Sequence, residues 1–303
     1  MKYSLVLALF LTIFSPLSYC QTIDYLNLGI NKYKNKDYHG AIDAFNKVIE
    51  QHSNDSLAYY HRGETKYMLE EFNGAISDLT IAIGMMPENA SAYFRRGMAK
   101  ELLNDHFGAI QDFNFSIKLN QFNPTYYFYR GVSRTGEGED YDAINDFSKA
   151  VELNPNYGNA YLQLGVVKYK LKNYSGAISD CTTAISFDPN VALNFIIRAS
   201  SKGMLKDYQD AIVDYSKAIE LTPKDAEAYL QRGILKSILS DERGAILDFN
   251  KAIELKPNNS ETYFRRGISK LELKNVDAAC LDWSKAGELG YVGAYDMIKK
   301  YCN

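Results

Sequence analysis

The side chains able to do chemistry are few and poorly placed for it. The four histidines, His39, His52, His61 and His106, lack metal-ligand spacing and stand near no cysteine pair, so they do not compose a zinc site. No HExxH or GxSxG motif and no phosphate-cradling glycine loop occurs. The GEG of Gly136 to Gly138 lacks the strand-to-helix setting such a loop needs. Aspartates recur at Asp78, Asp112, Asp146, Asp180, Asp214, Asp248 and Asp282, one every 34 residues. Acids that share a catalytic proton must converge on one point, whereas acids at a fixed period belong to a scaffold. The chain is therefore read as a non-enzyme, with no catalytic residue, metal, cofactor or small-molecule substrate expected.

The elements that carry these residues are repeats. Stepping 34 residues at a time from Gly233 meets Gly29, Gly63, Gly97, Gly131, Gly165, Ala199 and Gly267. The same step from Ala245 meets Ala41, Ala75, Ala109, Ala143, Ala177, Ala211 and Ala279, and from Tyr229 it meets an aromatic residue in every copy. Within the unit Ala226 to Asn259, Tyr229, Arg232, Gly233 and Lys236 are spaced i, i+3, i+4, i+7, and Ala245, Asp248, Phe249 and Ala252 repeat that spacing. Two amphipathic helices follow, broken at Ser240-Asp241 and ended at Lys256-Pro257, since proline cannot continue a helix. A hairpin this small cannot bury its apolar face alone, so copies must stack.

With the first residue of each unit as position one, the aromatic at four, Gly at eight, Ala at twenty, aromatic at twenty-four and Pro at thirty-two resemble the tetratricopeptide repeat. The resemblance covers residues 22–293 as eight units: 22–55, 56–89, 90–123, 124–157, 158–191, 192–225, 226–259 and 260–293. It implies an all-α, right-handed superhelical solenoid whose concave surface, lined by first helices, holds a peptide or protein. The first unit departs most from the pattern, as terminal repeats do. Gly136 and Gly138 in the fourth hairpin break are expected to weaken that helix end by about 1 kcal/mol each.

Residues 1–20 read as a secretory signal peptide: one lysine, an apolar run from Tyr3 to Phe14, Pro16, and Ser18 and Cys20 before Gln21. The run is short for a membrane span. Export to the periplasm or cell surface is the first expectation. A lipid anchor on Cys20 is the alternative, and the one route to a membrane. Residues 294–303 read as a short capping helix. Export permits a disulfide. Cys181 takes a packing position, whereas Cys280 and Cys302 lie ten and twelve residues from Gly290, so antiparallel helices about that turn bring them together.

Positions two, five, nine and twelve of the first helices face away from the partner helix and are read as the groove, with its rows followed at five and nine. They are Leu26, Tyr60, Phe94, Phe128, Leu162, Ile196, Leu230 and Phe264 at five, and Ile30, Glu64, Met98, Val132, Val166, Ser200, Ile234 and Ile268 at nine. The family's chaperone-binding branch grips a carboxylate with Lys at five and Asn at nine; neither occurs. A mostly apolar row fits an apolar or helical segment, unless winding buries the row between successive helices. The formal net charge of −3 and the absence of basic runs disfavour nucleic acid. The reading is a binding scaffold, with a structural factor acting by self-association as the alternative. A charge ladder is also expected, pairing each Asp at twenty-three with Arg at seven and Lys or Arg at eleven.

Overall fold

The structure, a computed structural model, describes residues 16–302. The signal peptide read over residues 1–20 lies mainly outside that range, in residues 1–15. The described residues are helical, with no strand among them. The chain forms two compact units, Met1–Glu139 and Asp140–Asn303, which meet in sequence between the helices of the fourth repeat. The first unit holds α1 (Pro16–Lys34), α2 (Tyr38–Gln51), α3 (Ser56–Met68), α4 (Phe72–Met85), α5 (Ala90–Leu102), α6 (His106–Leu119) and α7 (Pro124–Glu137). The second holds α8 (Asp140–Leu153), α9 (Gly158–Lys170), α10 (Tyr174–Phe187), α11 (Ala192–Met204), α12 (Tyr208–Leu221), α13 (Ala226–Ile238), α14 (Glu242–Leu255), α15 (Ser260–Glu272), α16 (Val276–Glu288) and α17 (Gly293–Tyr301). Within each unit a first helix packs on its own second helix, which packs on the next first helix.

One turn design makes each hairpin. Lys36, Glu70, Asn104, Lys172, Lys206, Ser240 and Lys274 all adopt φ between 60° and 67°, and the N–H of the next residue bonds back to the last helical turn, as from Asp241 to the Lys236 carbonyl at 2.8 Å. In five repeats that next residue also caps the second helix with its side chain: Asp37, Asp105 and Asp241 accept from the N–H of Gly40, Gly108 and Gly244, and Asn173 and Asn275 from Gly176 and Ala278, whereas Glu71 and Asp207 do not. In the fourth repeat Gly138 holds the left-handed position with φ 81°. The expected weakening does not describe Gly138, which ends α7 as its left-handed cap, while Gly136 lies inside that helix. Glycine meets a backbone demand that the other repeats meet with strained residues.

Position eight is small because the side chain at twenty-four lies on its α-carbon. A Cβ on Gly233 would stand 2.7 Å from Phe249 Cε1, and one on Gly267 would stand 2.5 Å from Trp283 Nε1. Phe45, Phe113, Phe147, Phe249 and Trp283 are the largest fully buried side chains of the described core.

The charge ladder forms around this core. Asp248 receives Arg232 Nη2 at 2.6 Å, Arg232 Nε at 2.9 Å and Lys236 Nζ at 2.8 Å. Asp78, Asp112, Asp214 and Asp282 are held the same way by Arg62, Arg96, Arg198 and Arg266. Each guanidinium also donates backward to the previous repeat, Arg232 to Ser216 Oγ at 3.0 Å and Arg266 to Asn250 Oδ1 at 2.6 Å. The ladder therefore ties hairpin to hairpin. In repeat five Leu164 replaces the arginine, and Asp180 keeps Lys168, 2.6 Å away. Burial then holds the Asp180 carboxyl above its usual value despite that lysine.

The last helix closes the second unit. Cys280 and Cys302 are joined by a disulfide with their α-carbons 5.6 Å apart. Tyr291 stacks on Phe264 at 4.4 Å, and α17 packs over Trp283 and Ala286. Gly290, with φ 91°, makes the turn that reverses the chain.

Candidate functional site: the first-helix face

The two rows read as a groove are mostly half-buried. Leu26, Ile30, Tyr60, Glu64, Phe94, Met98 and Val132 in the first unit keep part of their surface, as do Val166, Ile196, Ser200 and Ile234 in the second. Three residues are corrected: Leu230 is 1% exposed and Phe128 and Leu162 are each 9% exposed, so they fill core rather than line a surface. Two more are corrected by the cap. Phe264 and Ile268 pack against the cluster of Trp283, Ala286 and Ala294 under α17. The physical cause is close stacking, because α1 touches α3, α3 touches α5 and α5 touches α7, while α9 touches α11 and α13 touches α15.

The open apolar side chains lie one turn further on, at position thirteen. Met68 and Leu102 are 43% and 51% exposed in the first unit, and Met204 and Ile238 are 55% and 52% exposed in the second. Sequence reasoning passed over this row, although i+4 from position nine points to it, because Lys34, Lys170 and Glu272 interrupt it. A second open row runs along the second helices: Val213, Leu247 and Leu281 are 60%, 69% and 73% exposed.

In the first unit the apolar row is interrupted by one ion pair. Glu64 Oε1 accepts from Arg95 Nε at 2.9 Å, and His61 Nδ1 lies 3.4 Å from Glu64 Oε2. Burial opposes ionisation of Glu64, but the His61 hydrogen bond, the Arg95 charge and the Tyr60 hydroxyl outweigh it, so the carboxyl sits below its usual value. The Tyr60 phenol is pushed upward by burial and by that carboxylate. Phe94 packs on Tyr126 and Tyr129 at 5.0 and 5.5 Å.

The nearest approach to a catalytic constellation is also in this unit. Glu101 Oε2 accepts from the Ser133 hydroxyl and lies 3.0 Å from His106 Nδ1. In a nucleophilic triad the imidazole stands between hydroxyl and carboxylate. Here the carboxylate stands between hydroxyl and imidazole, and Ser133 is fully buried. The serine has no base positioned to turn it into a nucleophile on a substrate. Among the described residues no cluster of His, Cys, Asp and Glu is arranged to hold a metal.

In the second unit a cavity of about 450 Å³ opens on the first-helix face between α11 and α13. These helices approach less closely than α9 and α11 or α13 and α15 do, and small residues of α11 leave the space beside them open. Ser200 stands at nine, where repeats five and seven have Val166 and Ile234, and Gly203 stands at twelve, where repeat five has Tyr169 and repeat seven has Ser237. Ile196, Ala228 and Leu235 line the cavity, together with Tyr169, Tyr208 and Tyr215. Tyr215 exchanges a 2.8 Å hydrogen bond with Ser200, and burial pushes its phenol up to about 12.

Comparison with known families places this architecture. The family description "Tetratricopeptide repeat" matches residues 25–55 and, in a second version, residues 158–191 and 226–259, and the description "TPR repeat" matches residues 205–236. A comparison with curated proteins finds no match. Among solved structures, the C-terminal part of a TPR repeat-containing protein from Cytophaga hutchinsonii is similar over 78% of this chain and 97% of its own, with TM-score 0.67 and 21% identity. A tetratricopeptide repeat protein from Parabacteroides merdae covers 82% of this chain and 99% of its own at TM-score 0.59 and 20% identity. YrrB, described as a TPR protein with an unusual peptide-binding site, covers 62% of this chain and 96% of its own at TM-score 0.56 and 21% identity. At these identities the likeness is one of fold. Repeat period, helix pairing and family matches agree: the chain is a tetratricopeptide-repeat protein.

Proposed function

We propose that this chain is a non-catalytic scaffold that holds an extended or helical segment of another protein along its first-helix face, with apolar side chains of the segment seated between repeats. A protein-interaction role fits the repeat family. The observation that carries the finer reading is the open row at position thirteen beside the cavity of about 450 Å³, both on the same face of the second unit. An exposed apolar row next to a concavity is where partner side chains gain most from leaving water. The reading includes export, which the Cys280–Cys302 bridge supports, since such bonds persist in oxidising compartments.

The test uses exposed positions, so that folding is not at stake. Met204→Glu and Ile238→Glu should each leave the helical circular dichroism spectrum unchanged and reduce recovery of a co-purifying protein at least about tenfold, as loss of a buried anchor does. Leu247→Glu on the second-helix row should not. If Leu247→Glu alone abolishes recovery, the working surface is the other face. If the protein instead sediments as a dimer that Met204→Glu dissociates, the face serves self-association.

A further inference from the structure

We propose that the cavity between α11 and α13 is a binding site for a primary ammonium group carried on an apolar chain. Its volume of about 450 Å³ lies within the range of about 300–1,000 Å³ usual for pockets that take organic ligands. It is built by omission, at Ser200 and Gly203, and it is graded in polarity along α13. Asp225 and Glu227 line it at the first turn of that helix, Ala228 and Gln231 follow, and Leu235 and Ile238 line it at the last turns. No lysine or arginine contributes to the lining.

The two carboxylates are committed to neutral partners only. Asp225 accepts from the backbone N–H groups of Glu227 and Ala228, and Glu227 accepts from Gln231 Nε2 at 2.7 Å. Each retains acceptor capacity for a cation. Burial and, to a smaller degree, Tyr169, Glu227 and Asp225 raise the Tyr215 phenol of the same cavity, against the lowering by its Ser200 hydrogen bond. Phenol rings from Tyr169 and Tyr208 border the same space, and aromatic faces favour cations over anions. An alkyl stem against Ile196 and Leu235 with its head at the carboxylate end satisfies both parts of the wall, as a lysine side chain does elsewhere. A carboxylate ligand would be repelled at one end, and a neutral one would forgo the ion pairs.

The ammonium can come from a lysine of the segment proposed above, in which case this inference rests on that reading, or from a free alkylamine, in which case it does not. The probes are hexylamine, hexan-1-ol and hexanoate, titrated into the full chain by calorimetry or by chemical-shift perturbation. Hexylamine should bind up to about thirtyfold more tightly than hexan-1-ol, the factor given by two ion pairs of about 1 kcal/mol each, and hexanoate should bind weakest. Gly203→Tyr should abolish amine binding. A Cβ there meets only Leu235 Cδ2, at 3.6 Å, so the variant adds bulk to open space. Ser200→Ile, which copies Ile234 and Ile268, is the second variant should the first fail to fold. Glu227→Gln, at an exposed position, should remove most of the preference of the site for amine over alcohol.

Ac-Ala-Lys-Ala-NH2 binding more tightly than hexylamine assigns the site to a polypeptide lysine; the reverse assigns it to a free amine. Absence of hexylamine binding overturns the proposal. So does equal binding of alcohol and amine, or amine binding that survives both cavity-filling variants. Met204 and Ile238 also line the cavity, so the scaffold reading is judged apart from amine binding, by recovery of the co-purifying protein from the Gly203→Tyr and Glu227→Gln variants.

Discussion

Asp248→Asn and Asp180→Asn are the same substitution at the same repeat position, and the structure gives them different costs. Asp248 is 4% exposed and accepts three charge-assisted contacts, from both Arg232 nitrogens and from Lys236. Removing one partner of a buried pair costs about 3–5 kcal/mol, because the remaining charges stay desolvated. The side chains of Arg232 and Lys236 are 16% and 21% exposed and regain some hydration, which places Asp248→Asn near the lower end, about 3 kcal/mol. Asp180 has no arginine at Leu164, and burial already disfavours its charge. Asp180→Asn should therefore cost under about 1 kcal/mol, the range of a weakly held pair. Urea denaturation followed by circular dichroism measures both, with amide exchange in α14 and α10 to localise the loss, since repeat arrays unfold piecewise. Equal costs at the two sites would refute the claim that the arginine fork gives the aspartate its stabilising role.

Three further outcomes follow from particular contacts. The pH dependences of two carboxyls should have opposite sign: Glu64, held below its ordinary value of 4.5, contributes stability above that pH and loses it as pH falls through the folded value, whereas Asp180, held above 3.8, loses stability as pH rises through its folded value; denaturation of Glu64→Gln and Asp180→Asn against the parent between about pH 3 and 7 reads both. Gly233→Ala should destabilise by about 1–3 kcal/mol through overpacking on Phe249, while Gly203→Ala, with its Cβ 3.6 Å from Leu235, should be neutral or stabilise by up to about 1 kcal/mol, as thermal melts would show. Denatured, unreduced protein lacking residues 1–20 should show one reactive thiol, that of Cys181, and reduction of the Cys280–Cys302 bond should cost roughly 3 kcal/mol for a closed loop of this size; three thiols would contradict it.

The repeat frame was legible because each of its residues is fixed by a short-range demand. Gly233 is required by a neighbour at van der Waals distance, and Asp248 must face Arg232 because both flank facing stripes of one hairpin. The surface was less legible because exposure depends on how one hairpin leans on the next. Leu230 and Ile234 share a face of α13, yet the first is buried and the second half-exposed. Phe264 follows the groove pattern and is covered by α17, which no repeat-level periodicity describes. The cavity was hidden for the opposite reason. Gly203 reads in the sequence as a glycine inside a first helix, and its meaning appears when the Ser200 and Gly203 side of α11 faces α13 across open space.

The claim that the first helices hold a partner is tested most directly by photocrosslinking from single positions. A benzophenone side chain placed at Met204 or Ile238 should join the co-purifying protein, and one placed at Val213 or Leu247 should not, although all four positions are exposed and apolar. Crosslinks confined to Val213 and Leu247 would contradict the account and assign the function to the second-helix face.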